Sequence, residues 1–220
     1  MKPDFETIKN SAEIRTYITQ ADASLIALGY TEHSFAHVTK CAEAAASLLS
    51  QLGYDERHVE LARIAGYMHD IGTVINRSDH AQSGAIMAFR ILDKMGMAPE
   101  DVAVVITAIG NHDEHTAFPV NAVAAALILA DKTDVRRSRV RNRATIHFDI
   151  HDRVNYAVER ADLVLNREAK TLTLQLTIDT EICSVMDYFE IFLSRMLLCR
   201  KAAEYFGLQF KMIANGSVVL

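Results

Sequence analysis

Nine consecutive residues constrain this chain most: Ile64, Ala65, Gly66, Tyr67, Met68, His69, Asp70, Ile71 and Gly72. Leu61, Ile64, Ala65 and Met68 recur at helical spacing, so a core-facing helix runs into adjacent His69 and Asp70 and stops at Gly72. Consecutive helical residues point about 100° apart. An imidazole and a carboxylate placed there meet one ion only if other segments bring the remaining ligands. Chemistry is expected at that helix end.

The flanking sequence is also helical. Ile8, Ile14, Tyr17 and Ile18 predict a first amphipathic helix, and Leu25, Ile26 and Leu28 a short second one ending near Gly29. Thr31 is the expected cap of a third helix that closes at Gly53 and carries His33 and His37 on one face. Asp55 caps the central helix, and Ser78 or Asp79 the helix that begins with His80 and ends at Gly96. Pro99, with Glu100 and Asp101 in its first turn, opens a helix that delivers His112 just past its end. Asn121 to Val135 is apolar almost all round until Asp131, which places it in the core.

Beyond Val135 the pattern changes. Arg136, Arg137, Arg139, Arg141 and Arg143 mark either a boundary or an anion site, the alternative for the last three being a solvated basic turn. Asp152 to Glu159 has short-helix spacing. Thr171 to Ile178 alternates polar and apolar residues, a strand that pairs with Ala161 to Leu165 across a turn at 166–169. Val185 to Phe206 is expected as a long buried helix, and Asn215-Gly216 as a hairpin turn. The chain thus divides into a mainly α segment, 1–145, and a small α+β extension, 146–220. The extension holds no catalytic constellation, and packing against the helical core or a second copy in a homodimer is its expected role.

With half of its 220 residues apolar, the chain can bury one sizeable core or one core plus a small unit. A net charge of −5 disfavours nucleic acid and anionic membranes and favours a small ligand. The N-terminus lacks an apolar leader, and the longest apolar run, Ala122 to Ala130, is too short to span a bilayer. A soluble cytoplasmic protein is expected, with Cys41, Cys183 and Cys199 as buried thiols.

Seven of the nine histidines lie between His33 and His115. Any one of them is more simply a satisfied polar residue, which is the expected role of His58, His147 and His151. His37, His69, Asp70, His80, His112 and Asp131 differ, because each sits beside apolar helical residues. Burying so many titratable groups is costly unless they pair or bind metal.

The order His37, then His69-Asp70-Ile71-Gly72, then His80, His112 and Ala130-Asp131 resembles the HD-domain superfamily of metal-dependent phosphohydrolases. The resemblance covers roughly residues 30 to 140. It implies a helical bundle over about 20–140, one metal held by His37, His69, Asp70 and Asp131, and a second held by Asp70, His80 and His112, with Asp70 as the bridge. Such mixed ligation suits iron, manganese, zinc or cobalt. Asp113, Glu114 and His115, with Ala117, Phe118 and Pro119, lack the paired histidines and G-Y-P of the cyclic-dinucleotide subgroup, which argues against that substrate.

The function so implied is hydrolysis of a nucleotide-like phosphoester by a metal-activated hydroxide. Asp70 is then catalytic. His33 either donates a proton to the leaving oxygen or supports a ligand. The run from Lys132 to Arg137 resembles the segment by which dinuclear nucleotide hydrolases of the superfamily place an arginine on substrate phosphate, so Arg137, with Arg136 beside it, is assigned that task. Two other classes share these features: a dinuclear iron oxygenase, and a non-catalytic nucleotide sensor.

Overall fold

The structure, a computed structural model, describes residues 3–141 and 150–220. It forms two compact units, Met1–Asp131 and Lys132–Leu220. The fold is mainly α, as the periodicity predicts, with a small sheet near the C-terminus. Among the described residues no helix is long and apolar enough to cross a membrane. Arg143, His147 and the expected division after residue 145 lie outside the described residues.

The first unit comprises α1 (Phe5–Lys9), α2 (Ala12–Ala27), α3 (Phe35–Leu52), α4 (Glu56–Met68), α5 (His80–Lys94), α6 (Pro99–Gly110) and most of α7 (Ala122–Lys132). Local capping moves two boundaries from their expected places. The first predicted helix is broken between Asn10 and Ser11, because the Asn10 side chain donates to the Glu6 carbonyl and Ser11 caps a new helix at Ile14. That new helix absorbs the predicted second one. In α3 the cap is Ser34 rather than Thr31, since the Glu32 carboxylate accepts from the Ser34 amide at 2.8 Å and keeps the preceding turn extended. His33 therefore lies before α3 and not on it.

Small residues set how closely the helices approach. A Cβ on Gly66 would lie 2.7 Å from the Ala42 Cα, so α4 crosses α3 nearly backbone to backbone. A Cβ on Gly72 would meet the His80 carbonyl oxygen at 2.1 Å and the Gly84 nitrogen at 2.4 Å. The turn after α4, Ile71–Val74, is thus pressed against the start of α5. Both contacts draw histidine-bearing helix ends together. Ala122 through Ala130 of α7 are all buried, giving the unit an apolar centre on which these ends converge.

The second unit begins where α7 stops at Lys132, three residues before its expected end at Val135. Asp134 has a fully buried side chain that accepts from Arg136 Nε at 3.0 Å, and its carbonyl accepts from Arg139 Nη1 at 2.8 Å. These bonds curl the chain into a turn at Arg137–Arg139. Arg139 is consequently buried rather than part of a solvated turn, while Arg141 is exposed.

After α8 (Ile150–Ala157), strands β1 (Val158–Asn166) and β2 (Thr171–Ile178) form the predicted hairpin, with Leu163 opposite Leu174. The two C-terminal predictions merge with it. β3 (Gln209–Ala214) pairs in parallel with β2, and α9 (Val185–Tyr205) is the crossover between them. β4 (Ser217–Val218) closes the sheet through Asn215 and Gly216, both at positive φ. Leu172, Leu174, Leu176, Phe210 and Met212 are buried, as are Tyr188, Phe192 and Met196 of α9. Each such side chain contributes about 1.5 to 3 kcal/mol on burial, enough for this small sheet to hold a core of its own.

Candidate metal centre

Five helix ends supply the centre. His69 is the C-cap residue of α4, and its Nδ1 faces the Gly66 carbonyl at 2.8 Å. His112 follows the C-cap of α6 and faces the Ile109 carbonyl at 2.6 Å in the same way. His80, the first residue of α5, has Nδ1 3.0 Å from the Arg77 carbonyl. Each ring thus engages a carbonyl three residues earlier in the chain. A proton held there on His69 and His112 leaves Nε2 as the lone-pair atom, the tautomer a metal ligand needs. His37 comes from the first turn of α3, and Asp131 from the end of α7.

The structure brings all six expected ligands together around Asp70. Its Oδ2 lies 3.3 Å from His69 Nε2 and 3.6 Å from His37 Nε2. Its Oδ1 lies 3.4 Å from His80 Nε2 and 3.8 Å from His112 Nε2. Asp131 Oδ1 completes the first group, 3.4 Å from His37 Nε2 and 3.8 Å from His69 Nε2. The four histidines and Asp70 are buried, and the Asp131 side chain is 12% exposed.

The donor set fits divalent metal. His69 Nε2 is buried and has no hydrogen-bond partner among the described residues, although Asp70 Oδ2 lies 3.3 Å away. His80 Nε2 and His112 Nε2 face each other at 3.1 Å, two ring nitrogens aimed at one place. Burial opposes charge on Asp70, yet the facing His69 and His112 imidazoles hold its carboxyl well below the usual range. Burial also pushes His69 down, but the Asp70 and Asp131 carboxylates outweigh it, and the net direction is up. His80 falls to about 4, first through burial and then through the neighbouring His112 and Arg77 charges, with Asp70 and Asp113 opposing, so the ring is neutral at neutral pH. Buried carboxylates facing imidazole nitrogens are a cation site by charge as well as geometry.

Sequence reasoning did not place Cys41 or Arg77 here. Cys41 Sγ lies 3.6 Å from His37 Nδ1, and its thiol groups with His37, His69 and Asp131 closely enough to share an ion. The signal was its i+4 spacing from His37, which in an alanine-rich helix reads as core. Asp113, left open from sequence, sets Oδ2 3.4 Å from His80 Nδ1. His115 is exposed and gives its backbone amide to Asp113. His33 stacks edge-on to His37, ring centroids 5.4 Å apart, with Nδ1 on the Thr31 carbonyl.

Within the second unit both Arg136 and Arg137 have partners. Arg136 bonds Asp134 and Ser138. Arg137 donates Nε to the Tyr156 carbonyl at 2.7 Å and Nη2 to Asp179 at 3.3 Å, with Glu159 a further 3.4 Å neighbour. His58 is a half-buried partner of Asp55 at 2.8 Å, in keeping with the role expected of it.

If the six ligands hold metal, chelation should destabilise the first unit. Saturation at about a hundred times Kd adds about 2.7 kcal/mol, so the apparent Tm should fall by roughly 5 to 10 °C in a strong chelator and recover on adding manganese. Identical melting curves with and without chelator would contradict it.

Comparison with known proteins bears on the same residues. The sequence model of the HD domain family matches residues 32–191. An uncharacterised protein of Methanocaldococcus jannaschii is 25% identical over 181 residues, covering 72% of this chain and 69% of its own length. A crystal structure of a protein described as a predicted HD superfamily hydrolase, from an uncultured Thermotogales bacterium, is 28% identical, covers 56% of this chain and 67% of its own, and has a TM-score of 0.45.

Proposed function

The chain belongs to the HD domain family, and from that premise we propose that it is a metal-dependent phosphohydrolase acting on a nucleotide-like phosphoester. One observation supports this above the others. The two oxygens of Asp70 face different histidine groups, Oδ2 towards His37 and His69 and Oδ1 towards His80 and His112, as a bridging carboxylate requires. In this reading His37, His69, Asp70 and Asp131 hold one divalent ion, and Asp70, His80 and His112 a second. Iron, manganese, zinc and cobalt all suit the ligands. Bound ions would polarise the phosphoryl oxygens and lower the pKa of the attacking water.

The protein's own groups orient and exchange protons. The Gly66 and Ile109 carbonyls fix the His69 and His112 rings, so the substrate meets a preset frame. His33 has its Nδ1 engaged by Thr31, so proton exchange with the leaving oxygen falls to Nε2. We assign the chemistry to residues 1–145 and packing to 146–220. A small phosphoester is the partner, and nucleic acid is disfavoured by the net charge of −5.

Arg136 and Arg137 are the proposed phosphate donors because they follow Asp131 closely and carry forked donors. Substrate would have to compete with Tyr156 and Asp179 for Arg137. Arg137→Gln should therefore keep its metals and lose about tenfold to a hundredfold in kcat/KM. Unchanged kinetics with a lowered Tm would assign this guanidinium to packing of α8 and β2.

The test is a panel of mononucleotides, dinucleotides and simple phosphodiesters, assayed with manganese in air and under nitrogen. Phosphoester hydrolysis independent of dioxygen supports the proposal. Turnover that requires dioxygen would establish the oxygenase alternative, and nucleotide binding without turnover the sensor.

A further inference from the structure

The loop between the turn at Ile71–Val74 and α5 carries a cation that the ligand set does not use. Arg77 Nη1 lies 2.6 Å from His80 Nδ1, 3.2 Å from His80 Nε2 and 3.6 Å from Asp113 Oδ2. The hydrogen bonds of this guanidinium among the described residues run through Nη1. Its Nε and Nη2, the fork that binds two oxygens side by side, donate to no described protein group, and the side chain is 27% exposed.

A guanidinium in that position has a chemical consequence. His80 Nε2 also faces Asp70 Oδ1 at 3.4 Å and His112 Nε2 at 3.1 Å, so Arg77 borders the outer half of the donor cluster. A phosphoryl group held at this half of the centre would lie beside a forked cationic donor. Asp113 faces both side chains, 3.4 Å from His80 Nδ1 and 3.6 Å from Arg77 Nη1, and holds the guanidinium at the rim rather than in solvent.

We infer that Arg77 is a substrate-binding residue, taking a phosphoryl group bidentately through Nε and Nη2 at the edge of the His80–His112 half of the centre. This rests on the phosphoester reading and deepens it, because it identifies a phosphate contact in the same unit as the metal ligands. A terminal phosphate with two free oxygens is the group the fork fits. Asp113 is a positioning residue for Arg77.

The experiment uses the full chain loaded with manganese, with inorganic phosphate as the probe. Phosphate binding is followed by titration calorimetry and bound manganese is counted for the wild type, Arg77→Gln and Arg77→Lys. Arg77→Gln should retain its manganese and bind phosphate about tenfold to a hundredfold more weakly, and Arg77→Lys should recover part of the loss. Equal phosphate affinity in wild type and Arg77→Gln at equal metal content would overturn the assignment. Loss of manganese from Arg77→Gln would overturn it too, by making Arg77 a support for His80. A manganese-loaded wild type that binds no phosphate removes the phosphoester reading itself, and the Arg77 assignment with it.

Discussion

Asp70→Ala should empty the whole centre, leaving a chain with neither ion and turnover lower by about three orders of magnitude. The reason is geometric. Among the described residues Asp70 is the one side chain within 4 Å of all four buried histidine Nε2 atoms, sending one oxygen to each pair. Its removal takes a ligand from both positions and leaves facing imidazoles with no carboxylate between the groups. Metal polarisation contributes several kcal/mol to such reactions, and about 4 kcal/mol corresponds to about a thousandfold. His112→Ala is the contrast, since it removes a ligand from one group only and should leave the other ion in place. Metal counting on both variants after gel filtration checks this. An Asp70→Ala protein that keeps one ion would show that the carboxylate is not a bridge.

Gly72→Ala should be the most damaging substitution that removes no ligand. The added methyl would stand 2.1 Å from the His80 carbonyl oxygen, 2.4 Å from the Gly84 nitrogen and 2.6 Å from Ser83 Oγ. The two backbone atoms cannot rotate away, so the start of α5 must move, and His80 moves with it. Overpacking of this severity costs about 3 kcal/mol, a fall in Tm of roughly 6 to 12 °C for a chain of this length. The His80–His112 position should lose its ion before the His37–Asp131 position does. A thermal melt with metal counting reads both effects, and a Tm within 2 °C of the wild type would contradict the role given to this glycine.

These residues differ in how plainly the sequence announces them. His69 and His112 were legible because a helix end can be read from periodicity and capping, and a histidine there has a carbonyl three residues back to engage. Asp131 was legible as the first acid in an apolar helix. His33 was misplaced by one turn, because Thr31 and Ser34 are equally good caps and the Glu32 carboxylate decided between them. The joining of both C-terminal hairpins into one sheet was hidden for another reason. Alternation shows which face of a strand is buried but does not name its neighbour, and β2 meets β3 across the whole of α9.

Cys41 and Arg77 were overlooked because residue type misleads at both positions. A thiol four residues after a histidine in an alanine-rich helix looks like core, and an arginine in a polar loop looks solvated. Only the folded distances, 3.6 Å to His37 and 2.6 Å to His80, set them beside the ligands. The arginine cluster shows the opposite effect. Arg136 and Arg139 were grouped by charge in sequence, yet both fold back on Asp134, two and five residues away.

The measurement closest to the central claim is the initial rate of phosphate release from a mononucleotide panel as manganese is titrated into metal-free protein, with bound manganese counted at each point. The rate should follow occupancy and reach its plateau at two ions per chain. Two bound ions with no phosphoester turned over across the panel, or the same rate from the metal-free chain, would contradict a dinuclear phosphohydrolase built on Asp70.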